Sequence, residues 1–89
     1  MIIRWDERKE AKNIEKHGVS FSEAATVLSD PLALSNINDH PDGDRFQYLG
    51  RSSAGSLLYV VTVEKTADEI RIVSARAATP RERRGYEEG

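Results

Sequence analysis

The spacing of apolar residues changes character along the chain. Residues 2–5, Ile-Ile-Arg-Trp, form a short apolar opening that reads as a first or edge strand, and Asp6 behind it suits a helix N-cap. The helix predicted from about Asp6 to His17 carries only Ala11 and Ile14 as core candidates. At about 3.6 residues per turn these two sit together, while Lys9, Asn13 and Lys16 share a stripe on the opposite side with His17 at its margin. Gly18 ends the helix, because a residue without Cβ takes the left-handed conformation of a C-cap without steric penalty, and Lys16 and His17 complement the negative end of the dipole. Ser20 and Glu23 then have capping-box spacing, and Phe21, Ala24, Ala25 and Leu28 repeat at helical intervals until Asp30-Pro31 stops the run.

Beyond Pro31 the pattern becomes extended. Residues 32–37, 45–50, 56–63 and 69–76 read as strands, separated by turn-rich stretches, the first of them Asn38 to Asp44. The third run is apolar on both alternating faces, which marks a central strand covered on two sides. Short connections favour antiparallel pairing, since parallel neighbours need long crossovers. Thr79-Pro80-Arg81-Glu82 combines an N-cap, a proline at the first helical position and a capping-box glutamate, opening a short C-terminal helix through Tyr86. The predicted order is βααββββα: an α+β fold with an antiparallel sheet packed against two N-terminal helices, in a single domain over residues 1–89.

Composition narrows the chemistry. With 38% hydrophobic and 31% charged residues in 89, the chain is expected to fold around one modest core. The absence of cysteine excludes disulfides and thiolate metal sites. No run is long enough for a membrane span and the opening lacks a signal-peptide core, so a cytoplasmic protein is expected. The net charge of -2 hides an uneven distribution. Bases gather toward the two ends (Arg4, Arg8, Lys9, Lys12, Lys16; then Arg71, Arg76, Arg81, Arg83, Arg84), whereas Asp30 to Asp44 carries acids and no base. If folding joins the ends, a basic cleft forms on an acidic protein; otherwise these bases pair with acids on solvated helix faces.

Metal chemistry is the weakest candidate. Asn38, Asp39, His40, Asp42 and Asp44 offer ligand atoms, but Pro41 interrupts the calcium-loop pattern and Leu49 stands where its bidentate glutamate belongs, so an acidic turn with no metal is expected. No cofactor motif is present, and nothing resembles a nucleophile elbow or a phosphate-binding glycine loop. Cutting RNA without metal needs a base for the 2′-hydroxyl proton, cations for the charge growing on phosphorus, and an acid for the leaving 5′-oxygen. His17 suits either proton role near neutral pH, and Arg76 offers a planar fork of donors. The catalytic candidates are therefore His17, Lys16, Arg76 and Tyr86, with Lys9, Asn13, Arg71 and Arg83 as substrate-binding candidates. Each has a plainer alternative: a dipole partner for His17, an ion pair with Glu23 or another acid for Arg76, a packing role for Tyr86, a solvated helix face for Lys9 and Asn13. Trp5 either packs the first helix onto the sheet or stacks on a base.

The segment from Trp5-Asp6 through Lys9, Asn13, Lys16-His17-Gly18, Phe21 and Ala24 to Asp30-Pro31 resembles the start of the BrnT toxins. Ile70-Arg71-Ile72, Ser74-Ala75-Arg76, Glu82 and Tyr86 resemble their end. Glu7 departs from a frequent proline, and Val63-Glu64-Lys65 ends the central strand where the family often has an arginine. The resemblance implies a RelE-like ribonuclease fold and the toxin of a type II toxin–antitoxin pair that arrests translation by cutting RNA. It also implies a BrnA-type antitoxin with a ribbon-helix-helix DNA-binding region that neutralises the toxin, so that contact with DNA is indirect. A dimeric antitoxin would give a two-plus-two assembly. The rival reading from the residues alone is a module that binds protein or nucleic acid without chemistry.

Overall fold

Capping sets the helix boundaries. The Asp6 carboxylate accepts from the backbone N–H groups of Arg8 (2.8 Å) and Lys9 (3.3 Å), opening α1 (Glu7–His17). Gly18 closes it in the left-handed region, with φ of 72° and its N–H donating to the Ile14 carbonyl. The computed structural model describes residues 1–38 and 44–89; the turn predicted after Asn38, with its candidate ligands Asp39, His40 and Asp42, falls outside them. In chain order, β1 (Ile2–Trp5), α1 and α2 (Phe21–Val27) are followed by β2 (Leu34–Asn38), β3 (Asp44–Arg51), β4 (Leu57–Thr66), β5 (Glu69–Ala77) and α3 (Pro80–Glu88). This is the predicted succession of elements. Among the described residues no helix is long and apolar enough to cross a membrane.

The sheet order is β1-β5-β4-β3-β2. Strands β2 to β5 pair antiparallel as the short connections require, but β1 runs parallel to β5, so the sheet is mixed rather than antiparallel. The rule of short connections does not apply to this pair, because two helices and three strands intervene and leave either direction open.

One apolar cluster joins the helices to the sheet. Val19, Phe21, Ala24 and Val27 bury against Leu58 and Val60 of β4 and Ile72 and Ala75 of β5, with Ile3, Trp5 and Tyr48 at the margin. Full burial of side chains such as Phe21 contributes about 1.5–3 kcal/mol each. Gly50 lets β3 approach the end of α2: a Cβ there would stand 3.0 Å from a Val27 methyl and 2.9 Å from Ala33 Cβ.

Helix α1 reverses the expected polarity. Ala11 is exposed and Ile14 is 46% exposed, whereas Asn13, expected on a polar outer stripe, is buried. The cause is what α1 meets. Pairing of β1 with β5 ends at Trp5↔Ile72, and beyond it Ala75 would lack a strand partner on that side. The Asn13 side chain supplies one: Nδ2 donates to the Ala75 carbonyl (2.8 Å) and Oδ1 accepts from the Ala75 N–H (3.2 Å). Nδ2 also donates to the Val19 carbonyl (2.8 Å). One turn earlier, Glu10 accepts from the N–H groups of Phe21 (2.8 Å) and Ser22 (3.3 Å) at the start of α2. The inward face of α1 is polar because it docks on backbone. Consequently the Ser20 box is only half formed: Ser20 Oγ accepts from Glu23 N–H (3.1 Å), while the Glu23 carboxylate accepts from Ser52 Oγ (2.7 Å). The Thr79–Glu82 box is complete.

Replacing Asn13 with Ala strips partners from three buried backbone groups. The expected loss is about 2–4 kcal/mol of unfolding free energy by urea titration. A loss below about 0.5 kcal/mol, the range of neutral surface changes, would show that Asn13 is not a structural clamp.

Candidate functional site

Residues on β3, β4 and β5 that do not point at the helices share the opposite face of the sheet in transverse rows. Register places Arg76 beside Tyr59 and Tyr59 beside Leu49 in one row, and Ser74, Val61 and Gln47 in the next. The third row runs Arg4, Arg71, Val63, Arg45 across four strands. Arg71 belongs to this face only because of a β-bulge: Val61 pairs with Ser74 but Thr62 with Ile72, so Val73 is an extra residue. Without it, the odd separation of Arg71 and Arg76 would send them to opposite faces.

Around Arg71 the structure brings both ends of the chain together. Lys9 from the first turn of α1, Arg45 of β3, Val63 and Lys65 of β4, and Arg71 and Val73 of β5 line a cavity of about 160 Å³. No acid is among its described lining residues. Glu69 stands beside it, with one oxygen 3.2 Å from Arg4 Nε and the other 3.9 Å from an Arg71 terminal nitrogen. The Nε–H groups of Arg45 and Arg71 are buried and have no hydrogen-bond partner among the described residues. Trp5, whose buried indole N–H is also unpartnered, lines the adjoining cavity with Arg4 and Arg71. Buried donors are nearly always satisfied, so three without a partner among the described residues single out this end of the face, where the acids beside them are Glu7, which lines the adjoining cavity, and Glu69.

The other end differs in state. The Arg76 guanidinium lies 4.2 Å from the Tyr59 ring centroid and gives both terminal nitrogens to Glu82, at 2.8 and 2.9 Å. Glu82, rather than Glu23, is the acid that pairs with it. The Arg76 hydrogen bonds hold the Glu82 carboxyl down at about 2, with help from the Thr79 backbone N–H, and Glu82 in turn raises Arg76. Tyr86 is likewise engaged: its hydroxyl donates to Asp30 Oδ2 (2.7 Å), which also accepts from Arg51 N–H (2.8 Å). The bond to Asp30 pushes the phenol up, so it keeps its proton at neutral pH.

The remaining candidates separate. Lys9 and Arg71 line one cavity. Lys16 and His17 are exposed in the last turn of α1, and no hydrogen bond or ion pair among the described residues joins them to Arg76 or Tyr86. Arg83 lies exposed on α3, 3.9 Å from Glu87. Asn13 must be withdrawn as a substrate-binding residue, because it is 8% exposed and its amide is engaged by Ala75 and Val19. Arg45 and Lys65 escape the sequence reading. Arg45 follows the acidic stretch, and only strand register reveals that it faces Arg71 across Val63.

Fold and face together define a small α+β protein with a mixed five-stranded sheet whose side opposite the helices carries a cavity lined by four basic residues. More particularly, the chain belongs to the BrnT family, the ribonuclease toxins of type II toxin–antitoxin systems, whose family model matches residues 5–82. It is similar to the crystal structure of the Brucella abortus ribonuclease toxin, BrnT, at 27% identity and a TM-score of 0.69, over 89% of this chain and 97% of that one. No curated protein sequence matches it significantly.

The folded Glu82 carboxyl titrates below its ordinary value of 4.5, so its pairing with Arg76 stabilises the fold above that pH and is lost as pH falls toward 2. Protection factors of the amides across α3, which buries no residue of its own, taken relative to the intrinsic exchange rate at each pH, should therefore fall over this window in the wild type. Glu82→Gln should exchange fast already at pH 6.

Proposed function

We propose that this chain is an endoribonuclease that cuts RNA on the sheet face opposite α1 and α2, by attack of the 2′-hydroxyl and without a metal ion, arresting translation in the cytoplasm. The observation that carries this reading is the convergence of Lys9, Arg45, Lys65 and Arg71 from four separate elements on the face that also bears Arg76. A net acidic chain that gathers four bases in one place has a local field suited to a polyanion. The family description as a ribonuclease toxin supports the same substrate, and on that basis we read the fold as RelE-like.

In this reading Arg76 stabilises the charge growing on phosphorus. Glu82 now fills its fork, and a phosphate presents the same paired oxygens and replaces the carboxylate. His17 and Tyr86 are the proposed proton carriers, with Lys16 beside His17; Tyr86 lies on α3 with Glu82, the partner of Arg76. The 2′-oxygen then attacks phosphorus, the 5′-oxygen leaves with a proton from the acid, and a 2′,3′-cyclic phosphate remains. The family's type II description supports a protein antitoxin; we assign this as a BrnA-type partner with a ribbon-helix-helix region, in a two-plus-two complex that covers the basic face with acidic residues.

Purified protein incubated with RNA in EDTA should yield fragments ending in 2′,3′-cyclic phosphate. Arg76→Ala should slow cleavage about 10²-fold or more while the chain remains folded by circular dichroism. His17→Ala should cost about 10²–10⁴-fold; an unchanged rate would return His17 to its role at the helix end. Intact RNA that nevertheless binds would establish the non-catalytic module instead.

A further inference from the structure

We propose that the cavity between Lys9, Arg45, Lys65 and Arg71 is a phosphate-binding subsite distinct from the Arg76 centre, anchoring a backbone phosphate remote from the scissile one. The inference rests on RNA being the substrate, as argued above. Its chemistry is one-sided. The described lining offers two guanidinium groups and two ammonium groups, and the apolar walls are Val63 and Val73. Valine walls reduce competition from water, so a charge-assisted bond formed there is stronger than one on an open surface.

Size and unmet bonding select the ligand. A volume of about 160 Å³ equals roughly five waters, enough for a tetrahedral oxyanion and too small for a nucleoside. Among the described residues the Nε–H groups of Arg45 and Arg71 have no partner, so both guanidiniums that line the cavity keep donors for an oxyanion that draws them round it. Arg4 and Arg71 share Glu69, but the 3.9 Å approach to Arg71 is too long for a hydrogen bond and leaves that fork available.

Position makes the site a ruler. Val63, which pairs with Arg71, lies four residues along β4 from Tyr59, which pairs with Arg76; at about 3.3 Å per residue the rows are ~13 Å apart. A single phosphodiester does not bridge them. RNA that reaches both must extend beyond the cut dinucleotide, and the subsite favours longer substrates through binding rather than through the chemical step.

Inorganic phosphate titrated into the wild-type protein should shift the side-chain Nε–H resonances of Arg45 and Arg71 in a nitrogen–proton correlation spectrum, saturably and ahead of those of Arg81 and Arg84. With a 2′-O-methyl RNA that cannot be cleaved, Arg71→Gln and Lys65→Ala should each weaken binding roughly tenfold, the size of one charge-assisted hydrogen bond. Each should also flatten the salt dependence by about 0.7 of a logarithmic unit for every phosphate no longer neutralised. On cleavable RNA these variants should raise KM and leave kcat within about twofold. An equal weakening in Arg84→Gln, on the far helix, would mean diffuse attraction and overturn the subsite, as would phosphate shifts spread evenly over all arginines. If the Arg45 and Arg71 signals respond but RNA is never cut, the subsite stands and the endonuclease reading falls.

Discussion

The Asn13 side-chain amide is the group on which the arrangement of the N-terminal half depends. It acts as a fragment of strand, continuing the edge of β5 where β1 has ended, and it ties the same helix to the Val19 carbonyl at the corner. An asparagine amide has two donor hydrogens and an acceptor oxygen, and here all three find buried backbone partners. An apolar side chain at this position would fill the space and leave Ala75 and Val19 unsatisfied, at roughly 1–3 kcal/mol for each buried group. Hydrogen bonds are directional, so the amide fixes how α1 lies along β5 as well as whether it docks. That register puts the first turn of α1, and with it Lys9, beside Arg71 and Val73.

A second constraint acts within the sheet. Alternation alone would send Arg71 toward the helices, into the layer occupied by Ile70 and Ile72, where an unpaired guanidinium is strongly disfavoured. The extra residue at Val73 resolves this by shifting the alternation once, so Ile72 and Ala75 both face the core while Arg71 and Arg76 both face away. The bulge and the Asn13 clamp are two residues apart on one strand. Together they place a base from each end of the chain at one cavity.

Local signals in the sequence are reliable where the physics is local. Asp6, Gly18 and the Thr79–Glu82 pair mark helix boundaries because each acts on backbone within a few residues of itself. Where a partner lies far along the chain, the same reasoning fails. Ile14 reads as a core residue because apolar side chains usually face inward, but α1 meets a strand edge, whose free N–H and C=O groups select Asn13. Glu23 has the spacing of a capping box, and Ser20 forms its half, but the Glu23 carboxylate accepts from Ser52 instead while Glu10 of α1 takes the Phe21 and Ser22 N–H groups. The parallel direction of β1 is invisible for the same reason. For the site, the gathering of bases at both ends points to Lys9 and Arg71; Arg45 and Lys65 become visible only through register, which one inserted residue controls.

The two cationic ends of the face are in different states, and this orders events on the proposed reading. Arg76 is neutralised by Glu82 through two parallel hydrogen bonds that hold the carboxyl at about 2, while the cavity around Arg71 has buried donors without partners among the described residues. An incoming anion on that reading gains most at the Arg71 end, where Glu69 approaches Arg71 only to 3.9 Å, too far for a hydrogen bond. Once a polyanion is held there, its next phosphates reach Arg76 at the raised effective concentration of a tethered ligand, in the millimolar range for short flexible connections. That concentration is what lets phosphate compete with a carboxylate already held in the same molecule. A free monophosphate has no such tether and does not displace Glu82. On this reading the Arg76–Glu82 pair works as a filter: it yields to a chain already anchored ~13 Å away and holds against small anions.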